Sequence, residues 1–145
     1  DSWHHFEKPI GEYEKRLQKE LEIILLKPHK SGETETIRKQ DTLDVIAQLE
    51  KYSGSFVVFC DVLGKTLGDT KDMSAWLNQK KQEHKSIIFV VGGAYGLDAT
   101  LMKSHIDYTL SFTDWTLPHG LAVLMLTEQL YRMTNLLAGG KYHHE

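Results

Sequence analysis

FVVFCDVLGKTLGD, Phe56 to Asp69, holds the pattern on which the fold reading turns. Its first five residues, Phe56 to Cys60, are β-branched and aromatic, which marks a strand. DVLGKTLGD then follows as a glycine-containing loop. The same unit recurs downstream: SIIFVV, Ser86 to Val91, reads as a strand, and GGAYG as the loop after it. Tyr108 to Phe112 is a further strand, followed by TDWTLPH. Upstream, LEIILL, Leu21 to Leu26, reads as a buried strand ended by Pro28.

Helices fall between these strands. Phe6, Ile10, Tyr13 and Leu17 recur at helical spacing with charges between them. Ile37, Leu43, Ile46, Ala47 and Leu49 mark a second helix, stopped by the Ser53-Gly54 turn. Met73, Trp76 and Leu77 place a third, with Asp72 as its cap, and Leu101 and Met102 a short fourth capped by Asp98. Leu121 to Leu137 is apolar nearly all round and reads as a buried helix. Strands alternating with helices predict an α/β domain with a mostly parallel sheet, one domain over residues 1–145. Ligands of such sheets bind outside the carboxyl ends of the strands. That directs attention to DVLGKTLGD, GGAYG and TDWTLPH.

Composition sets outer bounds. The 145 residues are 41% hydrophobic and 26% charged, ordinary for a globular domain with a real core. A net charge of -3 argues against indiscriminate nucleic-acid binding, so any action on RNA needs a local basic patch or a structured partner. Lys27, Lys30, Arg38 and Lys39 could form such a patch, although lysines of this kind are more often a solvated face. The single cysteine, Cys60, excludes an internal disulfide and fits a reducing, cytoplasmic setting. No apolar run approaches the roughly 18 residues of a membrane helix. No metal is expected, because His4-His5 and His143-His144 lack a carboxylate at helical spacing beside them.

Two loops imitate nucleotide motifs and fail in detail. Gly64-Lys65-Thr66 resembles the end of a phosphate-binding loop, but Phe59 stands where that motif needs its first glycine. A solvated turn is the expectation there. VGGAYG imitates a dinucleotide fingerprint, yet Val91 occupies the first glycine position and the strand that follows ends at Phe112 without an acidic residue. Gly92 and Gly93 still indicate a backbone that turns sharply or approaches something closely.

Three blocks in order carry a family resemblance: IIFVVGGAYGL (Ile87 to Leu97), LSFTDWTLPHGLAVLMLTEQLYR (Leu110 to Arg132) and the tail GGKYHHE. GEYEKRL (Gly11 to Leu17) and FCDVLGK (Phe59 to Lys65) extend it backward. Together they resemble the small SPOUT methyltransferases that modify N3 of a pseudouridine in the 23S rRNA of the large ribosomal subunit. The family opens with a short strand ending in Gly-Lys, whereas this chain begins at the helix after it, so that strand is expected to lie outside the chain. Asp114-Trp115 and Val123 depart from the family pattern by lowering positive charge near the presumed RNA side.

The resemblance implies a C-terminal trefoil knot cradling S-adenosylmethionine. It places cofactor contacts at Cys60, Gly93 and the loop Phe112, Thr113, Asp114, Trp115, Thr116 and Leu117. For Phe112, Trp115 and Leu117, plain core packing is the competing account. The methyl donor is already activated, so the protein has to align the acceptor nitrogen and favour loss of its proton. The catalytic candidates are His119, Arg132, Tyr142, His143 and His144. Arg132 could equally be paired with Glu128 at helical spacing, and His119 could be a cap or core hydrogen bond. The resemblance further implies a homodimer acting on the ribosome, with the partner's tail contributing to each site. Transfer RNA as substrate, or a ribosome-binding module without activity, are the alternatives.

Overall fold

The computed structural model describes residues 3–142, so His143 and His144 lie outside the described residues. A 3-10 turn, Trp3–His5, leads into α1 (Glu7–Arg16). α2 (Thr34–Leu49), β1 (Ser55–Lys65), α3 (Thr70–Glu83) and β2 (Ser86–Val91) follow. Next come the short α4 (Ala99–Met102), a second 3-10 turn (Lys103–His105), β3 (Tyr108–Leu110) and α5 (His119–Leu137).

β1 is the central strand of a parallel sheet ordered β2-β1-β3. It pairs with β2 from Ser55↔Ser86 to Cys60↔Val91, and with β3 from Val58↔Tyr108 to Cys60↔Leu110. Alternate side chains leave opposite faces, and both faces are covered, as a parallel sheet requires. Val57, Phe59 and Val90 face Met102 of α4, together with Val45, Ile46 and Leu49 of α2. Phe56, Val58 and Leu110 face Met73 and Trp76 of α3. Val58, Met102 and Met133 have no exposed surface at all, and burial of each such side chain contributes about 1.5–3 kcal/mol. α5 packs on α3 and α1, where Ile10 and Leu17 supply the buried face of the amphipathic stripe. The Thr70 hydroxyl donates to Gln129 Oε1 at 2.8 Å and ties α3 to α5.

The α/β class, the parallel sheet and its flanking helices agree with the sequence expectation. Several details do not. Leu21 to Leu26 forms no strand, and Ile24 and Leu25 are exposed. A strand exists only where a second backbone lies alongside, and among the described residues none pairs with this run. Capping of α3 falls to Asp69, whose carboxylate accepts from the Asp72 N–H at 2.9 Å; Asp72 instead sits at the third helical position and answers the Asp69 N–H. Asp98 does cap α4, accepting from the Leu101 N–H at 3.0 Å. β3 ends at Leu110, two residues short of the expected limit. α5 buries one stripe, Ala122, Leu126 and Met133, while Met125 and Leu137 stay exposed.

The DVLGK loop is also different: β1 continues through it, with an irregularity between Cys60 and Lys65, and Lys65 comes opposite Leu110. The Ser111 N–H donates to the Lys65 carbonyl at 3.0 Å. A side chain at Gly64 would put its Cβ 2.5 Å from the Thr109 carbonyl oxygen. Gly64 is therefore there to let two backbones meet, and neither a phosphate cradle nor a solvated turn describes it.

Candidate functional site

The carboxyl ends of the three strands open into a cavity of about 280 Å³. The end of β1 brings Phe59, Cys60 and Asp61 to it; the loop after β2 brings Gly92, Gly93, Gly96 and Leu97. The segment between β3 and α5 completes the wall with Phe112, Thr113, Trp115, Thr116 and Leu117, and α5 adds His119 and Ala122. The sequence reading named Cys60, Gly93 and this third segment, and all of them line the same cavity except Asp114, which is exposed and not part of the wall. Asp61, Phe59 and Leu97 were not named. Their only signal in the sequence was position, at the end of a strand or of a glycine loop.

The glycine loop is a tight turn. Gly96 has φ +71°, a left-handed conformation that glycine adopts without strain, and its N–H donates to the Gly93 carbonyl at 3.0 Å. A Cβ at Gly92 would come into ordinary contact with Gly96 and Leu97, 3.4 Å away, whereas one at Gly93 would meet nothing within 4 Å. Thus Gly92 packs against the far side of the turn, and Gly93 presents bare backbone to the cavity. Opposite, the Ser111 hydroxyl donates to the Thr113 carbonyl at 2.7 Å and fixes the start of the third segment. Burial pushes the Cys60 thiol up to about 12, so it stays protonated and acts as wall, not nucleophile. Burial moves His119 the other way, below the ordinary histidine range, so its ring is neutral at pH 7. That ring lies parallel to Trp3, centroids 6.1 Å apart, at the first residue of α5.

Arg132 and Tyr142 lie elsewhere. Thirteen positions separate Arg132 from His119 on α5, about 20 Å along the helix axis. Arg132 grips Glu128 in a two-pronged ion pair at 3.0–3.2 Å, the helical pairing weighed as the plainer account. Its guanidinium also lies 4.8 Å from the Tyr142 ring centroid. Tyr142 packs edge-on against Tyr131 and shares a 3.3 Å hydrogen bond with the Tyr13 hydroxyl. Its N–H donates to Asn135 Oδ1 at 3.0 Å. The Tyr13 contact and burial together push its phenol up to about 12, so Tyr142 keeps its proton at neutral pH. The tail up to Tyr142 is thus docked on α1 and α5 of its own chain, far from its own cavity.

In the proposed basic patch, Arg38 is occupied: it pairs with Glu35 at 2.6 Å and donates to the Tyr95 carbonyl at 3.0 Å. Lys27, Lys30 and Lys39 are exposed. Among the described residues, no three His, Cys, Asp or Glu side chains gather as a metal site, and no helix is long and apolar enough to cross a membrane.

Residues 2–143 match the family described as predicted SPOUT methyltransferase. Among curated relatives, a protein of Gemmatimonas aurantiaca is 31% identical over 85% of this chain and 79% of its own length. One from Syntrophotalea carbinolica is 34% identical over 92% and 86%, respectively. One from Caldicellulosiruptor saccharolyticus is 30% identical over 96% and 91%. All three are named ribosomal RNA large subunit methyltransferase H.

Proposed function

Because the chain belongs to the SPOUT methyltransferase family, we propose that this S-adenosylmethionine-dependent enzyme methylates large-subunit ribosomal RNA, at N3 of a pseudouridine in the 23S molecule. The observation that carries the reading is the cavity at the three strand ends, where the family's cofactor segments converge on bare backbone at Gly93. The trefoil knot expected from the resemblance belongs to this proposal, as do a homodimeric state and a cytoplasmic setting.

The cavity suits the cofactor in kind. Its apolar walls, Phe59, Leu97, Phe112 and Leu117, match a purine, and the exposed loop backbone at Gly93 offers amide and carbonyl groups to its edge. Asp61 puts a carboxylate at the same wall, a fitting neighbour for a cationic ligand. When bound, S-adenosylmethionine supplies an activated methyl group. What remains for the chain is to hold the acceptor base in line and to manage its imide proton. A neutral His119 carries one unprotonated ring nitrogen, a group of the kind that accepts a proton. Tyr142, still protonated, can donate a hydrogen bond beside the Arg132 cation. These two groups stand at opposite ends of α5, so one chain does not assemble them. In the proposed dimer, the Arg132–Tyr142 end of one protomer, with His143 and His144, completes the cavity of its partner. The exposed Met125 and Leu137 leave α5 with apolar surface for such a contact.

The test is transfer of labelled methyl from S-adenosylmethionine to assembled ribosomes and, separately, to free transfer RNA. Label in large-subunit RNA that falls with Tyr142→Phe/His143→Ala is the expected result. A cofactor-binding protein that labels only transfer RNA, or nothing, overturns the ribosomal assignment.

A further inference from the structure

α2 contributes no residue to the cavity wall, yet two of its side chains hold the loop that does. Thr42 is wholly buried. Its hydroxyl donates to the Arg38 carbonyl at 2.6 Å, one turn back on the helix, and accepts from the Asp98 N–H at 2.9 Å. Hydroxyls in helices often bond back in this way. The second bond is different, because it reaches across 56 positions to the residue directly after Leu97 of the cavity wall. Arg38 makes the companion contact, donating through Nε to the Tyr95 carbonyl at 3.0 Å. The loop is thereby fastened to α2 at Tyr95 and Asp98, on either side of Gly96 and Leu97.

The chemistry of each partner explains its identity. A loop that turns through Gly92, Gly93 and Gly96 has few side chains with which to anchor itself. Its stiffness has to come from outside, and a buried threonine supplies an acceptor in a fixed rotamer. Asp98 is well placed to pass that stiffness on, since it also caps α4, whose Met102 is locked in the core. Valine at position 42 would fill the same space but remove the acceptor of the half-buried Asp98 amide.

We propose that Thr42, supported by Arg38, is a positioning residue for cofactor binding: it sets the Gly92–Leu97 turn in the geometry that receives S-adenosylmethionine. This inference rests on the cavity being the cofactor site. The measurement is calorimetric affinity for S-adenosylmethionine, together with kcat and KM for methyl transfer, on the intact protein and on three variants. Thr42→Val is expected to raise Kd and the cofactor KM about tenfold, the fold-change typical of one amide that loses its acceptor, with kcat changed much less. Thr42→Ser keeps the hydroxyl and is expected to restore most of the affinity. Arg38→Met, at a partly exposed site, is expected to weaken binding about threefold without threatening the fold. If Thr42→Val does not fold, Arg38→Met decides alone. Affinity unchanged in the folded variants, or a loss of kcat at constant cofactor KM, overturns the positioning role while leaving the enzyme reading intact. A wild-type protein that does not bind S-adenosylmethionine overturns the reading of the cavity itself, and the inference with it.

Discussion

Gly64 and His119 are residues whose identity follows from a neighbour far away in sequence. At Gly64 an added Cβ would meet the Thr109 carbonyl, a backbone atom held by the β1–β3 ladder and unable to step aside. Gly64→Ala is expected to cost about 1–3 kcal/mol, as overpacking does, measured as a lower urea midpoint at unchanged slope. For His119 the sign of the pH effect follows from burial. Its folded pKa lies below its unfolded value, so the unfolded chain takes up the proton first as pH falls. Stability contributed by the neutral ring is present above an unfolded value near 6.5 and declines as pH drops below it. Melting temperatures measured between neutral and mildly acidic pH should show this decline, and His119→Gln should flatten it. An equal decline in the variant would assign the effect to other histidines. Neither residue could be read from local pattern. Gly64 read as part of a solvated turn, and nothing near His119 in the sequence pointed to Trp3, because the sequence does not display what stands opposite.

Among the elements, the strands were the most legible. Phe56–Cys60 and Ser86–Val91 carry β-branched and aromatic side chains on both faces, which only a doubly covered strand tolerates. Leu21–Leu26 has similar composition and forms none, since pairing is a property of two segments. α5 shows a related ambiguity: its apolar circumference reads as full burial, while the chain buries one stripe and leaves Met125 and Leu137 exposed. Within that stripe Met133 is wholly enclosed at the packing surface of α5. Met133→Ala is expected to lose about 2–5 kcal/mol in chemical unfolding. A loss below 1 kcal/mol would mean that the α5 contact collapses readily around a void.

For the whole molecule, the proposed reaction asks His119 and the Arg132–Tyr142 cluster, at opposite ends of a helix, to meet in one site. A composite site between two protomers makes a specific prediction. His119→Ala and Tyr142→Phe/His143→Ala should each be nearly inactive alone. Co-refolded in equal amounts, half the dimers are mixed, each with one intact site of two, and about a quarter of wild-type activity should return. No recovery would mean that each chain completes its own site. The same experiment is sensitive to the docked tail. Tyr142 is held by Tyr13, Asn135 and Arg132 of its own chain.

Local chemistry in the sequence determined the alternation of strands and helices, the parallel sheet and the loops after β2 and β3, whereas β1 runs on through the segment read as the first loop. β-branching, helical periodicity and glycine placement act over a few residues and are visible there. The family blocks pointed to the segments proposed to hold the cofactor, which the fold brings to one cavity with Asp114 alone outside its lining. Only the tertiary structure decided that Gly64 serves a backbone crossing, that Asp61 joins the wall, and that Thr42 anchors the glycine turn from 56 positions away. It likewise separated His119 from Arg132. Each of these depends on which backbone lies against which, a relation set by packing the two faces of the sheet, and no window along the chain contains it.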